Sequence, residues 1–373
     1  MGKNIRYKDK YKKRAAIIVS VALLIVSIMS GCSYNTTTKK VNDKKKDISI
    51  GLCFDSFVIE RWLRDRDAFV TTAKELGAKV NVQNANGDVN EQISQIKYLI
   101  SKKVDVIVVI AVDCEKVSDI VKKAKDEGIN VISYDRLIKN AGTDLYISFD
   151  NGMIGKDMAT AMKQALPKGG KIFAINGPKT DSNVAQIENA FNKDIKKAGI
   201  DVVYSQYCTG WSAKIAGEYA EEALKKYPDV DGIMCSNDDM ASEVSRVLSE
   251  NRLAGKVALI GQDADLLACQ RIVENTQNMT EFKRVEDLAK AAAYFAVKMA
   301  RGQKYIDLSK SENEQKKLKK DNKYIASKTI SDGENEVPYY SLKPVMVTKN
   351  NIDKIIIDSG FHTKEEVYLN MED

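Results

Sequence analysis

Asp105-Val106-Ile107-Val108-Val109-Ile110-Ala111-Val112 is apolar at every position after its first residue. Neither face of such a strand can meet water, so it must be covered on both sides, as in a parallel sheet flanked by helices. The sequence on either side supplies the cover. Upstream, 89–101 places Ile93, Ile96, Leu99 and Ile100 on one helical face, preceded by a strand at 78–83, a helix at 61–76 that stops at Gly77, and a strand at 48–54. Downstream, a helix at 116–127 stops at Gly128 and leads to a strand at 130–134. Glycine just past the last turn is a helix C-terminal signal, because it adopts the left-handed conformation without strain.

The alternation then repeats. Helices at 153–166, 183–198, 213–227, 240–251 and 266–275 interleave with strands at 171–175, 201–207, 232–235 and 257–260. Two such blocks of roughly a hundred residues or more predict an α/β protein with two doubly wound parallel-sheet lobes. Beyond Met279 come an Ala-rich helix at 285–301, a Lys-rich stretch around 309–323, and short strand-like pieces at 344–348 and 354–357. Elements that follow two complete lobes predict a chain that returns to each of them through a multi-strand hinge. The expected boundaries are a first lobe of 48–150 plus 283–328 and a second of 151–282 plus 329–373.

The N-terminus has a different character. Lys3, Arg6, Lys8, Lys10, Lys12, Lys13 and Arg14 precede an apolar stretch at 15–29 and then Ser30-Gly31-Cys32-Ser33. A basic region, an apolar region and small residues before a cleavage point make a secretory signal over 1–31. Cys32 is the expected lipid attachment point, with an uncleaved N-terminal anchor as the alternative, and the polar stretch 32–47 is the expected tether. The protein is thus expected to be extracytoplasmic and anchored to the cell membrane. The net charge of +6 among 373 residues is concentrated in this leader, and charges elsewhere are mixed in sign. It predicts no nucleic-acid partner.

Several chemistries lack the residues they need. His362 is the sole histidine, and Cys53, Cys114, Cys208, Cys235 and Cys269 share no metal-ligand spacing and lie in apolar contexts. The sequence has no phosphate-binding GxxxxGK[ST] loop, dinucleotide GxGxxG, HExxH, GxSxG or EF-hand pattern, so no metal or cofactor is expected. The chain is expected to be a binder and not an enzyme. A sugar-processing enzyme working through close carboxylates is the alternative from another class.

The strand ends carry the recognition signal. Tyr134 is followed by Asp135-Arg136, Phe149 by Asp150-Asn151, Ser236 by Asn237-Asp238, and Gly261-Gln262 by Asp263. Ligands of open α/β sheets bind in the crevice beyond the carboxyl ends of the strands. Both tryptophans, Trp62 after Glu60-Arg61 and Trp211 after Thr209-Gly210, sit in polar, loop-like company. Flat aromatic faces suit the C–H faces of a sugar ring, and carboxylates, amides and guanidinium groups suit its hydroxyls. Blander roles compete: Asp181, Ser182, Asp238 or Asp239 as helix caps, Arg61 and Arg64 as a solvated helix face paired with Glu60 and Asp65, and Trp62 as core. An arginine with carboxylates would also suit an amino acid, so this chemistry leaves amino acid and neutral polyol open.

The blocks Glu60-Arg-Trp-Leu-Arg-Asp-Arg-Asp67, Tyr134-Asp-Arg136, Tyr146-Ile-Ser-Phe-Asp-Asn151, Ser236-Asn-Asp238 and Gly261-Gln-Asp-Ala-Asp265, in that order, resemble the D-xylose-binding family of bacterial ABC sugar importers. The resemblance runs from Ile48 to Gly360-Phe361-His362. It implies a type I periplasmic-binding-protein fold with a three-crossover hinge, and D-xylose as ligand. It implies an ABC permease as partner, with a sensor histidine kinase as the alternative that some relatives serve. Carried over by position, Arg61, Trp62, Asp135, Arg136, Asp150, Asn151, Asn183, Trp211, Asn237, Asp263 and Lys283 would line the cleft. The family commonly has Met-Thr-Val-Tyr-Lys-Pro at a hinge crossover, where this chain has Met279-Thr-Glu-Phe-Lys283-Arg284, and Asp-Asn-Asn-Ala where it has Asp181-Ser-Asn-Val184.

Overall fold

The computed structural model describes residues 47–59, 61–308 and 324–371. The secretory signal, Cys32, the tether up to residue 46, Glu60 and the Lys-rich stretch 309–323 lie outside the described residues. Among the described residues, no helix is long and apolar enough to cross a membrane.

The first block gives strands β1 (Ile48–Phe54), β2 (Ala78–Asn84), β3 (Val106–Val109), β4 (Asn130–Tyr134) and β5 (Leu145–Phe149). The second gives β6 (Gly170–Asn176), β7 (Ile200–Tyr207), β8 (Gly232–Cys235) and β9 (Ala258–Ile260). The remainder contributes β10 (Thr280–Phe282), β11 (Lys328–Ser331), β12 (Glu336–Leu342) and β13 (Val345–Val347). Among the described residues these form a sheet ordered β11-β12-β5-β4-β3-β1-β2, a second ordered β7-β6-β8-β9, and a β10-β13 pair. Within the two larger sheets every pairing is parallel except the β11–β12 hairpin.

The alternation along 106–111 accounts for the first lobe. Val106, Val108 and Ile110 face a core with Phe69, Ala73 and Ala292, whereas Ile107, Val109 and Ala111 face one with Ile96, Leu99 and Val121. Successive strand residues point to opposite faces, so one apolar run seats helices on both sides of the sheet. Each fully buried Val or Ile contributes roughly 1.5–3 kcal/mol. The strand itself is shorter than the apolar run, since pairing with β1 and β4 ends at Val109.

The chain leaves the first sheet after β5, returns after β10, and leaves again after β12, which makes three crossovers. The expected start of the final second-lobe segment at residue 329 needs correction. Lys328–Ser331 and Glu336–Leu342 extend the first sheet, with Tyr339–Leu342 paired to Tyr146–Phe149. Tyr339 stacks on Tyr146 at 4.8 Å between ring centroids, and its hydroxyl donates to the Phe149 carbonyl at 2.9 Å. Only from Val345 does the chain join the second lobe, where Val347, Ile352, Ile356 and Val367 pack with Ile272, Val273 and Phe282. The strand expected at 354–357 is helical instead, because Ile352 and Ile356 reach that core at helical spacing. All five described cysteines are buried and unpaired, and burial pushes the Cys53, Cys114 and Cys208 thiols up to about 12.

One hinge side chain is buried at a cost. Glu281, in the middle of β10, is fully buried, and neither carboxyl oxygen has a hydrogen-bond partner among the described residues. Burial, aided by Asp157 and opposed by Lys283, pushes its pKa well above the ordinary 4.5. A carboxyl whose folded pKa exceeds its unfolded value supplies stability below the unfolded value that is lost as pH rises through the folded one. Glu281→Gln is therefore expected to hold its melting temperature better than the wild type as pH rises above 4.5. Parallel melting curves across that range would contradict it.

Candidate ligand-binding cleft

The strand ends of the two sheets converge on a cavity lined by residues of both lobes, the place where open α/β sheets bind their ligands. It takes in every expected site residue except Asp150. The Asp150 carboxylate accepts from the Met153 amide at 3.0 Å and caps the helix Asn151–Ala165. Sequence reasoning missed Ile59, Ile187 and Gln262 as lining residues and weighed Asp181 only as a cap. Ile187 was within reach, because it lies one helical turn after Asn183 on the same face.

From the first lobe, Arg61 and Trp62 open the helix Arg61–Glu75. The Arg61 guanidinium reaches Asp135 Oδ2 at 3.0 Å and Asp65 at 3.4 Å, and lies 4.3 Å from the centre of the Trp62 ring. The Tyr134 hydroxyl donates to the same Asp65, which burial pushes up to about 6 against the pull of Arg61. Burial also works to raise Asp135, but the charges of Arg61, Lys283 and Arg136 hold it below its ordinary value. Asp135 therefore remains an acceptor.

Arg136 is clasped between lobes. Its Nη1 lies 2.8 Å from Asp55 and donates to the Ala111 carbonyl at 2.7 Å; its Nε lies 2.6 Å from Asp181 Oδ2 in the second lobe, as an ion pair without hydrogen-bond alignment. Asp181 also caps the helix Ser182–Ile195, so the expected capping role and the ion pair coexist. Asn183 extends the clasp: its Nδ2 donates to Asp135 at 3.0 Å, and its Oδ1 accepts from Asn151 at 2.8 Å and from the Tyr146 hydroxyl at 3.2 Å. On the far wall, Asn237 spends its Oδ1 on the Met240 amide. Lys283 pairs with Asp263 Oδ1 at 2.8 Å, while Arg61 stands 4.0 Å from the same oxygen.

Three lining residues sit at left-handed backbone: Asp135 at φ 63°, Trp211 at 58° and Asp263 at 106°. Such conformations cost about 1–3 kcal/mol each and cluster at ligand sites. Trp211 rests on Gly177, where a Cβ would come within 2.5 Å of the indole. The lining presents three cations, Arg61, Arg136 and Lys283, to three carboxylates, Asp135, Asp181 and Asp263. Formal neutrality of the wall favours an uncharged ligand. Trp62 Nε1, Trp211 Nε1 and Gln262 Oε1 are buried here without hydrogen-bond partners among the described residues. Buried polar atoms rarely stay unmatched, so these atoms mark a site for a polar molecule.

Residues 50–304 match the model of the periplasmic binding protein domain. The chain belongs to the periplasmic binding protein family. It is a binding protein, then, and not an enzyme. Within the family it is 40% identical over 328 residues to the D-xylose-binding periplasmic protein of Haemophilus influenzae, covering 87% of this chain and 93% of that one. It is 39% identical to the D-xylose-binding periplasmic protein of Escherichia coli, covering 86% and 93%. An ABC transporter solute binding protein from Clostridium phytofermentans, solved with β-D-glucose, has the same fold, with a TM-score of 0.73 at 24% identity over 86% of this chain and 99% of that one. The expected type I fold of two parallel-sheet lobes is thereby established.

Proposed function

We propose that this chain is a membrane-tethered, extracytoplasmic D-xylose-binding protein that closes on the sugar and presents it to an ABC permease. The observation that carries this is the neutral cleft between the lobes, with unmatched polar atoms on both walls and indoles from Trp62 and Trp211. Indole faces pack against the C–H faces of a pyranose. Asp135 and Asp263 would accept from its hydroxyls, Arg61, Arg136 and Lys283 would donate to its oxygens, and Asn151, Asn183 and Asn237 would complete the set. Two relatives near 40% identity that are named for D-xylose support the pentose over other neutral polyols. Because the walls belong to different lobes, only the closed form gives the sugar all its partners, so binding shifts the population toward closure.

The tether rests on the basic leader and on Cys32 after Ser30-Gly31. A xylose sensor whose closed form regulates a membrane histidine kinase is the second reading, with which Arg284, standing where the family's hinge commonly has proline, is compatible. Permease and ATPase genes beside this one would support transport; kinase and response-regulator genes would support sensing.

A thermal-shift panel tests the ligand. A sugar that binds only the folded chain stabilises it by about 2.7 kcal/mol at a hundredfold excess over Kd. D-Xylose is expected to raise the melting temperature more than D-glucose, D-ribose or L-arabinose, and no shift with any pentose would overturn the assignment. Gly177→Ala is expected to push the Trp211 indole out of place and weaken xylose binding by about tenfold, roughly 1.4 kcal/mol; calorimetry on the folded variant measures it.

A further inference from the structure

We propose that Asp238 and Thr280 are positioning residues that clamp the segment carrying Asp263, so that its carboxylate is held in the cleft by a network anchored in the hinge. Asp238 is fully buried at the start of the helix Asp238–Glu250, directly after the cleft residue Asn237. Its side chain reaches away from its own helix. Oδ1 accepts from Gln277 Nε2 at 2.9 Å, and Oδ2 accepts from the Thr280 hydroxyl and from the Asp265 amide at 3.2 Å. Thr280 Oγ1 in turn accepts from the Ala264 amide at 3.0 Å, and the Glu281 carbonyl accepts from the Asp263 amide at 2.8 Å.

Three successive amides, those of Asp263, Ala264 and Asp265, are thus each held by β10 or by Asp238. The segment needs holding, because Asp263 and Ala264 both lie at left-handed backbone, φ 106° and 57°, which non-glycine residues disfavour. Gly261 leaves room for the clamp, since a Cβ there would fall 2.1 Å from Asp238 Oδ1. Helix capping does not account for these contacts: the cap of this helix is the Asn237 side chain. Thr280 lies in β10, the strand that leads into the second crossover, so its hydroxyl ties that strand to Ala264, the residue next to Asp263.

The functional side of the clamp rests on Asp263 touching the sugar, as proposed above, and the experiment separates the two. The full chain is compared with Thr280→Val and Thr280→Ser by hydrogen exchange over 261–268 and by calorimetric titration with D-xylose. Valine keeps the shape and removes the hydroxyl; it is expected to speed exchange in that segment and weaken xylose about tenfold, while serine restores both. Unchanged exchange in folded Thr280→Val, or wild-type affinity alongside faster exchange, would overturn the clamp. Should the valine variant fail to fold, Asp238→Asn is expected to give the same local exchange and affinity loss, and wild-type behaviour there would overturn it. A wild type that binds no pentose would instead sink the sugar assignment, with the exchange pattern still deciding whether Thr280 holds the segment.

Discussion

Arg136→Ala is expected to weaken D-xylose binding at least tenfold, roughly 1.4 kcal/mol, and to destabilise the fold by about 3–5 kcal/mol, the usual cost of removing one partner from a buried ion pair. The guanidinium is 3% exposed and compensates Asp55 at 2.8 Å and Asp181 at 2.6 Å. Alanine leaves both carboxylates buried without their cation, and removes the tie between the Asp135-Arg136 turn and the helix Ser182–Ile195. Closing the lobes would then bring Asp181 against Asp55 with no cation between them. Denaturant melts and calorimetry measure the two effects separately, and wild-type affinity in a folded variant would mean that the cleft is misplaced.

Asp263→Ala should also lower xylose affinity at least tenfold, about 1.4 kcal/mol, for a complementary reason. Its Oδ1 is the shared counter-charge of Lys283 at 2.8 Å and Arg61 at 4.0 Å. Without it two cations face each other across the closed cleft, and the acceptor for a sugar hydroxyl is gone. Charge-assisted hydrogen bonds contribute roughly 1.5–3 kcal/mol, so Asp263→Asn, which keeps an acceptor but loses the charge, should fall between wild type and alanine. Equal affinity for all three proteins would remove Asp263 from the ligand set.

The pattern of these residues was legible because strand ends are legible. An apolar run that stops at Asp135-Arg136 or Asn237-Asp238 announces both the sheet and the crevice beyond it, and the fold follows from period-2 burial of 106–111 on two separate cores. Asp150 shows the limit. An aspartate after a strand and before a helix reads the same whether it caps the helix or touches a ligand, and for Asp150 the 3.0 Å bond to the Met153 amide together with its place outside the cavity lining decides for the cap. At Asp181 the two uses coexist, because one carboxylate caps its helix with one oxygen and meets Arg136 with the other.

The C-terminal returns were legible only in outline. A return to both lobes could be foreseen, but the sheet that receives 328–342 is set by Tyr339 stacking on Tyr146, a contact between residues far apart in sequence. The Asp238–Thr280 network escaped notice for the same reason. Its members are ordinary at their own positions and gain meaning only where three segments meet.

Calorimetric titration of the purified chain with D-xylose, beside D-glucose, D-ribose and L-arabinose, is the most direct test. Saturable heat at one site is expected with D-xylose, with affinity at least about tenfold above the other sugars. Absence of heat with every pentose would contradict a pentose cleft between these lobes.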